Sequence, residues 1–435
     1  MEELLAIAKT PDRFIEILSK VTSPTYDGKY LHWEDVRFRP PPAGLSPKEW
    51  WFGLKMRRRN DDRLIPLKDS SGKQFRFAVL DLMTDLLHQI DRGGGTFVEI
   101  PEPITNAEQR DRYVVRSLME EAITSSQLEG AATTREVAKQ MLAEKRKPRD
   151  RSEQMILNNY VTMQRIVELK DKPLSPEMVL EVHREISQNS LDIPDGAGRF
   201  RRPNENINVS DVEGTVFHTP PPATELPQRM EEMCKFANGE TPKFFVHPVV
   251  RGIILHFWLA YDHPFVDGNG RTARALFYWQ MLHSRYWLFE FISISQFLRK
   301  APVQYGTAFL QTETDDNDLT YFLLHQCETI RRALKELHDY VARKSSETRT
   351  CLDALHKHPE LNHRQQALIS HALRHPGFTY SIASHGSRQA ISYATARADL
   401  LRLARLRLLE QRKSGHAFVF VAPKDLEARL SSRKT

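Results

Sequence analysis

The sequence has few cysteines and lacks a long apolar run. Its three cysteines (Cys234, Cys327 and Cys351) form no CxxC pair and no even set, which excludes a disulfide framework and gives no zinc signature. The apolar stretch at residues 252–261 contains His256 and is far shorter than the roughly 20 residues that a membrane helix needs. The first residues show no secretory signal. We therefore expect a cytoplasmic protein that does not contact a membrane.

Neither sign of charge dominates the composition. Among 435 residues, 62 are Lys or Arg and 56 are Asp or Glu, which gives a formal net charge of +6. This balance permits an anionic ligand such as a nucleotide or a nucleic acid but does not require one. Charged residues make up 27% of the chain and aromatic residues 9%, so a largely disordered chain is excluded. The length predicts two or three domains.

The patterning along the chain predicts a mainly α fold in three parts. Residues 1–95 are mixed, match no motif and form an N-terminal extension of unclear role, which ends at the glycine run 93–95. Residues 96–345 are dominated by apolar residues at helical spacing and include a buried helix at 249–261. Within this part, two short extended runs flank an Asp/Glu/Gly turn, which predicts a β-hairpin at about 205–219.

Residues 346–435 show the element order of a winged helix-turn-helix. Two short helices precede an amphipathic helix at 393–410 with leucines on one side and arginines on the other. A Ser414-Gly415 turn then separates two short strands. Such a basic helix fits DNA phosphates, and a winged helix attached to another domain serves protein docking or dimerisation equally well. We expect DNA, a partner protein or a second copy of the chain, as in a homodimer, to bind this module.

The most informative segment is residues 263–274, with the sequence HPFVDGNGRTAR. Pro264 disfavours helical geometry at the residue before it, so the preceding helix ends there. Gly268 and Gly270 make the following loop tight and let its backbone N–H groups approach a ligand. A new helix is expected to begin near Arg271, and a helix N-terminus behind a glycine-rich loop is an anion site.

The charged side chains of this segment favour phosphate chemistry. Arg271 and Arg274 are three residues apart, so both project from one face of the first helical turn and can bind a chain of phosphates. Asp267 is the carboxylate that a Mg²⁺ ion bridging phosphate oxygens would use. His263 can accept a proton near neutral pH. Taken singly, such a loop is more often an ordinary turn and such a histidine a structural residue, while an EF-hand is excluded because no glutamate follows at the required position.

Together these residues match the Fic family pattern HPFxDGNGRxxR at every specified position, and the chain resembles that family over roughly residues 100–340. The resemblance implies an all-helical core with a β-hairpin flap. It also implies transfer of AMP from ATP to a Ser, Thr or Tyr hydroxyl of a target protein or of the chain itself. By position it assigns a general base, a Mg²⁺ ligand and a phosphate-binding set: His263, Asp267, and then Gly268, Asn269, Gly270, Arg271 and Arg274.

Gly270 distinguishes two branches of the family. In the kinase-like Doc branch of the family that this chain resembles, a lysine side chain fills the space at this position, and the nucleotide binds in the reverse orientation. The glycine of this chain keeps room for the α-phosphate near His263. The resemblance therefore implies nucleotidyl transfer rather than phosphoryl transfer.

A second segment, SSQLEG at residues 125–130, resembles the family's inhibitory pattern (S/T)xxxE(G/N). Ser125, Glu129 and Gly130 satisfy the pattern on a helix expected at about 107–142. A carboxylate at Glu129 could form a two-point pair with Arg274, which then could not receive the γ-phosphate of ATP. Without the adjacent Fic motif, a Ser-x-x-x-Glu helix is usually a solvated face. The resemblance to some family members also implies a second role for this glutamate, in which it positions a water molecule for the removal of AMP.

The sequence leaves three functions open. The first is an autoinhibited protein adenylyltransferase that uses ATP and Mg²⁺. The second is a DNA-binding regulator whose Fic core senses nucleotide, and the third is an enzyme that removes AMP or transfers another nucleotide. The predicted hairpin at about 205–219 resembles the family's flap, whose edge could pair with a target backbone. Tyr305 resembles a tyrosine that packs near the adenine, with an ordinary core role as the alternative.

Overall fold

The computed structural model describes residues 10–59, 62–94, 107–210, 214–356, 360–375, 377–414 and 417–431. The chain divides into two compact units, and the division falls after Leu337. Each unit has hydrophobic core residues of its own. Among the described residues, no helix is both long and apolar enough to cross a membrane. The domain boundaries expected at residues 95 and 345 stay predictions, and residue 95 lies outside the described ranges.

The first unit is mainly helical. Its helices are α1 (Pro11–Lys20), α2 (Trp33–Val36), α3 (Pro47–Arg59), α4 (Asp81–Gly94), α5 (Ala107–Leu128), α6 (Arg135–Glu144), α7 (Arg151–Leu169), α8 (Pro176–Ser187), α9 (Leu226–Ala237), α10 (Pro248–Asp262), α11 (Asn269–His283), α12 (Ser295–Lys300), α13 (Pro302–Thr314) and α14 (Thr320–His356), which continues past Leu337. Two antiparallel hairpins accompany them: β1 (Asp62–Lys68) with β2 (Gln74–Ala78), and β3 (Val209–Ser210) with β4 (Val216–His218). The second hairpin lies where the sequence predicted one.

The second unit combines short helices with one small sheet. It contains α15 (His363–Arg374), β5 (Thr379–Ser381), α16 (Ile382–Gln389), α17 (Tyr393–Arg405), β6 (Glu410–Ser414), β7 (Ala417–Val421) and α18 (Leu426–Ser431). The three strands are antiparallel in the order β5-β7-β6. A core that includes Ile369, Leu400 and Phe420 holds the helices against the sheet.

Helices α10 and α11 lie at the centre of the first unit and carry the 263–274 motif between them. His247 caps the N-terminus of α10, and Pro248 occupies its first turn. Nearly all of α10 is buried, in agreement with the buried helix predicted at 249–261. Gly268 has φ 81° and precedes α11 directly. The second helix therefore begins at Asn269, two residues earlier than the start predicted near Arg271.

Residues 10–94 belong to the same compact unit as these central helices. The buried Lys55 ammonium lies 2.5 Å from the Asp315 carboxylate, and Arg58 donates a hydrogen bond to the Tyr321 hydroxyl at 2.8 Å. A buried charge is tolerated only when it is paired in this way. The described part of the N-terminal extension is thus anchored to the segment at 315–321. The hairpin β1–β2 was not predicted, because its strands lack a clean alternation of buried and exposed residues.

The single helix predicted at about 107–142 is wrong. The structure has two helices there, α5 and α6, separated by a turn. Gly130 has φ 91°, a left-handed conformation that a helix interior does not accept and that glycine adopts at little cost. Thr134 then caps α6 by accepting a hydrogen bond from Val137 N–H. The break places Glu129 immediately after the last turn of α5 instead of inside a helix.

The C-terminal elements also differ in detail from the prediction. The helix expected at 393–410 ends at Arg405, and Arg407 has φ 54° in the following turn. The residues from Glu410 to Ser414 form strand β6, which pairs with β7. The short strand β5 was not predicted. Gly415 of the predicted Ser414-Gly415 turn lies outside the described residues.

Candidate active site

His263 terminates α10 in a left-handed conformation, with φ 44° and ψ 56°. Its Nδ1 lies 3.2 Å from the Ala260 carbonyl oxygen. Because a carbonyl only accepts hydrogen bonds, Nδ1 carries the proton and Nε2 has a free lone pair. Burial lowers the pKa of His263 to about 4. At neutral pH the side chain is therefore a neutral imidazole whose Nε2 can accept a proton.

The loop after His263 is fixed from inside by Asn269. Its side-chain oxygen accepts a hydrogen bond from Phe265 N–H at 2.9 Å, and its side-chain nitrogen donates to the Phe265 carbonyl at 2.8 Å. The Phe265 side chain is fully buried. In this structure both ends of the Asn269 amide bind the loop backbone. Asn269 therefore shapes the loop, whereas the resemblance assigned it to the phosphate.

His183 of α8 is a further loop contact that the sequence did not reveal. Its ring stacks on Phe265 with centroids 3.6 Å apart. Nδ1 accepts a hydrogen bond from Gly198 N–H at 3.0 Å, and Nε2 donates to the Asp267 carbonyl at 2.9 Å. Burial lowers the pKa of His183 to about 4, which keeps the ring neutral with one donor and one acceptor. No motif marked this residue, because a buried histidine on an apolar helix face usually indicates only core packing.

We predict that His183→Ala lowers the free energy of unfolding of the first unit by about 3 kcal/mol, which is typical of truncating a buried aromatic side chain. The substitution removes the stack on Phe265 and leaves one backbone donor and one backbone acceptor without a partner. Urea unfolding followed by tryptophan fluorescence measures the change. His183→Phe is the matched variant, since it keeps an aromatic ring and loses both hydrogen bonds, and it should cost less. Equal stability of the alanine variant and the unsubstituted protein would contradict the assigned contacts.

Arg271 is fully buried beneath the loop. One guanidinium nitrogen donates to the Ile186 carbonyl at 3.1 Å. Its Nε and Nη2 atoms have no hydrogen-bond partner among the described residues, and Nη2 lies 3.8 Å from an Asp267 carboxylate oxygen. Buried polar atoms are normally hydrogen-bonded, so such donors indicate a place for an anionic ligand.

Arg274 is buried, and its Nε and Nη2 atoms are engaged by the 125–130 segment. It donates from Nε to the Ser125 hydroxyl at 2.9 Å, and from Nη2 to the Ser125 carbonyl at 3.0 Å and to Glu129 at 2.8 Å. Burial alone raises the pKa of the Glu129 carboxyl, but the charge and hydrogen bond of Arg274 outweigh it and hold that pKa below its usual value. The contact with Glu129 is a single hydrogen bond rather than the two-point pair expected from the sequence. Gly130 contributes the turn that follows.

The Glu129 carboxylate also fills the space above Gly270. A β-carbon placed on Gly270 would lie 2.1 Å from the carboxylate. The space that the glycine leaves open is the one in which the α-phosphate is expected. In this structure the carboxylate of Glu129 occupies it.

Asp267 lies at the mouth of the site with its side chain 35% exposed. One oxygen accepts a hydrogen bond from Gly268 N–H at 2.5 Å, and the other lies 3.2 Å from Arg151. Arg151 also pairs with Asp192 at 2.5 Å. Among the described residues, no group of three His, Cys, Asp or Glu side chains could hold a metal ion alone. Asp267 thus offers one accessible carboxylate.

A pocket of about 330 Å³ joins Glu129, His263 and Asp267 beside the segment that leads into β3. Its lining comprises Glu129, Asn206, Ile207, Asn208, His263, Val266, Asp267, Gly268 and Asn269. Tyr305 does not line this pocket. Its hydroxyl lies 2.7 Å from His256 Nε2, and burial raises its pKa to about 12. The structure thus brings together the 263–274 residues and the 125–130 segment and places Tyr305 in a neighbouring aromatic cluster with Phe309.

Comparison with known proteins supports the match of residues 263–274 to the Fic pattern. Residues 173–281 match the model of the Fic/DOC family. The chain is 32% identical over 107 residues to "Protein adenylyltransferase Fic" of Nematostella vectensis, and the aligned region covers 25% of this chain and 22% of that protein. It is 38% identical over 98 residues to the Drosophila melanogaster protein of the same name, covering 22% and 18% respectively. The chain thus spans about a fifth of the length of these relatives.

One solved structure shares the fold over most of the chain. A Fic family protein from Desulfovibrio desulfuricans G20 aligns with a TM-score of 0.54 and 20% sequence identity. The alignment covers 80% of this chain and 98% of that structure. At this identity the likeness concerns the fold.

Proposed function

Since residues 173–281 form a Fic domain, we propose that the chain is a protein adenylyltransferase, which moves AMP from ATP to a hydroxyl side chain of a target protein or of itself. The observation that carries the proposal is the arrangement around the 263–274 loop. The buried Arg271 guanidinium has unpartnered donors, and His263 Nε2 has a free lone pair in the same motif. An anion-binding group and a neutral base carried by one loop-helix motif are what nucleotidyl transfer requires.

The proposed reaction is a displacement at the α-phosphorus of ATP. The hydroxyl oxygen of the target forms a bond to this phosphorus, and the bond to the bridging oxygen of the β-phosphate breaks. The hydroxyl proton passes to Nε2 of His263, and pyrophosphate leaves. Arg271 and Arg274 offset the charge of the departing phosphates. The protein acts mainly through positioning and charge, with the base contributing about 10²–10⁴-fold.

Asp267 is the residue that we assign to Mg²⁺. In nucleotide sites Mg²⁺ is held by one or two carboxylates together with substrate phosphates, and it needs no all-protein cage. A single, partly exposed carboxylate at the pocket mouth fits this pattern. When bound, the ion would neutralise phosphate charge. Arg151 would have to yield its 3.2 Å contact with Asp267.

We also propose that Glu129 holds the enzyme in an inhibited state. Its carboxylate engages Arg274, a phosphate-binding candidate, and also fills the space above Gly270. ATP could then be bound only with its γ-phosphate displaced from Arg274 and its α-phosphate displaced from the loop. Two obstructions from one side chain support autoinhibition. Removal of AMP assisted by Glu129 is the alternative use of the same residue.

Label transfer tests the proposed activity. With ATP labelled at the α-phosphate and Mg²⁺, the Glu129→Gly variant should transfer label to protein, whereas γ-labelled ATP should give none. Chelation of Mg²⁺ by EDTA should abolish the transfer, because the phosphate charge is then not neutralised. Parallel reactions with the other three nucleoside triphosphates, and with an AMP-modified protein, separate the alternative activities. Label from the γ-phosphate alone would overturn the proposal.

For the second unit, we propose a winged helix. The proposal is supported by the order α15, β5, α16, α17, β6, β7 and by the short turn at 390–392 between α16 and α17. The hairpin β6–β7 would be the wing, with β5 completing its sheet. This order matches helix-turn-helix modules in which the second helix of the pair recognises a partner.

A further inference from the structure

The positive charge of the chain is concentrated in its C-terminal unit. From His338 to Thr435 there are 17 Lys and Arg residues and 8 Asp and Glu residues, a balance of +9, although the whole chain carries only +6. The remainder of the chain is therefore slightly acidic. A strong local excess of cations attracts a polyanion, whereas a mild excess spread over the whole surface does not.

Helix α17 turns its only acidic side chain inward. Asp399 is 4% exposed. Its carboxylate receives hydrogen bonds from Asn362 at 3.0 Å, Arg364 at 2.9 Å and Gln365 at 3.1 Å, and His385 lies 3.4 Å away. The acid is thus used to join α17 to the helices beside it. No carboxylate of α17 remains on its outer face to offset the arginines there.

The outer face of α17 is basic and accessible. Arg397 and Arg405 are exposed, and neither has a hydrogen-bonded or ionic partner within the described ranges. Tyr393 at the start of the helix is 65% exposed. The short Ala394 and Ala398 side chains lie between them on the same exposed face, so a large ligand can approach the helix closely.

The β6–β7 hairpin extends this basic surface. Lys413 on β6 is exposed, and Phe418 on β7 is 50% exposed. Arg407, in the turn between α17 and β6, is exposed as well. A helix and a hairpin of one unit therefore both present cations, as in modules that place a helix in the major groove and a β-ribbon against the backbone.

We propose that this surface, formed by α17 and the β6–β7 hairpin, binds double-stranded DNA. The proposal rests on the winged helix proposed above and is independent of the nucleotidyl transfer proposed for the first unit. DNA fits the surface better than a second copy of the chain does, because two such faces would bring unpaired arginines together. Binding is expected to be dominated by four phosphate contacts, made by Arg397, Arg405, Arg407 and Lys413.

Fluorescence anisotropy of the full chain with a labelled random-sequence duplex of 30 base pairs tests the proposal. Four phosphate contacts predict that the affinity falls by about 100-fold between 50 and 200 mM salt. The variant Arg397→Ala/Arg405→Ala should bind more weakly at 50 mM salt and lose only about tenfold over the same range, because two contacts are gone. Lys413→Ala is a milder second variant.

The control variant, Lys29→Ala/Arg165→Ala, removes two positive charges from the first unit and should bind DNA as the unsubstituted chain does. Circular dichroism establishes that each variant is folded, and label transfer by the same proteins in a Glu129→Gly background shows whether the first unit works. Absence of duplex binding at 50 mM salt would overturn the proposal. So would a dimer in light scattering that the Arg397→Ala/Arg405→Ala variant disrupts, which would assign the face to a second copy. If the Glu129→Gly protein transfers no label but still binds DNA, the result would instead count against the proposed adenylyltransferase activity.

Discussion

Replacing Glu129 with glycine is expected to raise the rate of label transfer from ATP by about 10- to 100-fold. The wild-type carboxylate accepts a charged hydrogen bond from Arg274 at 2.8 Å, and such a bond is worth about 1.5–3 kcal/mol. In the proposed mechanism, ATP must break this bond before its γ-phosphate can use the same guanidinium. The substitution also clears the space above Gly270. Transfer of α-phosphate label to protein, measured under single-turnover conditions, gives the ratio of the two rates.

Two variants separate release of inhibition from a general effect of losing a carboxylate. Glu136→Gly removes an exposed glutamate of α6 and should leave the rate unchanged. Glu129→Gln keeps the size of the side chain and removes its charge, so it should give an intermediate rate. An unchanged or lower rate in Glu129→Gly would reject the inhibitory role of Glu129.

His263→Ala is expected to lower the transfer rate of the Glu129→Gly protein by about 10²–10⁴-fold, the usual contribution of a positioned base. Burial lowers the pKa of His263 to about 4, so the ring is neutral in the assay. Its Nδ1 donates to the Ala260 carbonyl, which leaves the Nε2 lone pair free to accept a proton. Alanine offers no proton acceptor at that position.

The control for this variant is His88→Ala, which removes an exposed histidine of α4. It should keep the full rate. Because His263 ends α10 in a left-handed conformation, the thermal unfolding of His263→Ala must be measured alongside its activity. A stable, folded His263→Ala protein that transfers label at the parent rate would remove the proposed base.

The grouping of the 263–274 residues was easier to predict from the sequence than the surrounding fold. The 263–274 residues could be assigned because they are contiguous, and local turn and helix geometry bring them together. Glu129 and Arg274 are 145 residues apart, and only the family resemblance joined them. His183 was missed because its role depends on tertiary contacts with Phe265 and Gly198, which no local pattern records.

Errors in the fold have a common cause. The helix predicted at about 107–142 ignored the left-handed conformation of Gly130, because apolar spacing continued on both sides of it. Strand β5 has three residues and pairs with β7, which follows it only after two helices and another strand, and β1 and β2 lack a clean alternation of buried and exposed residues. The spacing of apolar residues along the chain indicates which face of a single helix or strand is buried. It does not report which other segment completes a ladder.

Intact-mass spectrometry of three proteins after incubation with ATP and Mg²⁺ tests the central claim most directly. The claim is that the pocket transfers AMP with His263 as base while Glu129 blocks it. Glu129→Gly should gain the mass of one or more AMP groups, whereas the wild-type chain and Glu129→Gly/His263→Ala should gain little or none. An adduct with the mass of a single phosphate, or an AMP adduct that persists in the double variant, would contradict this account.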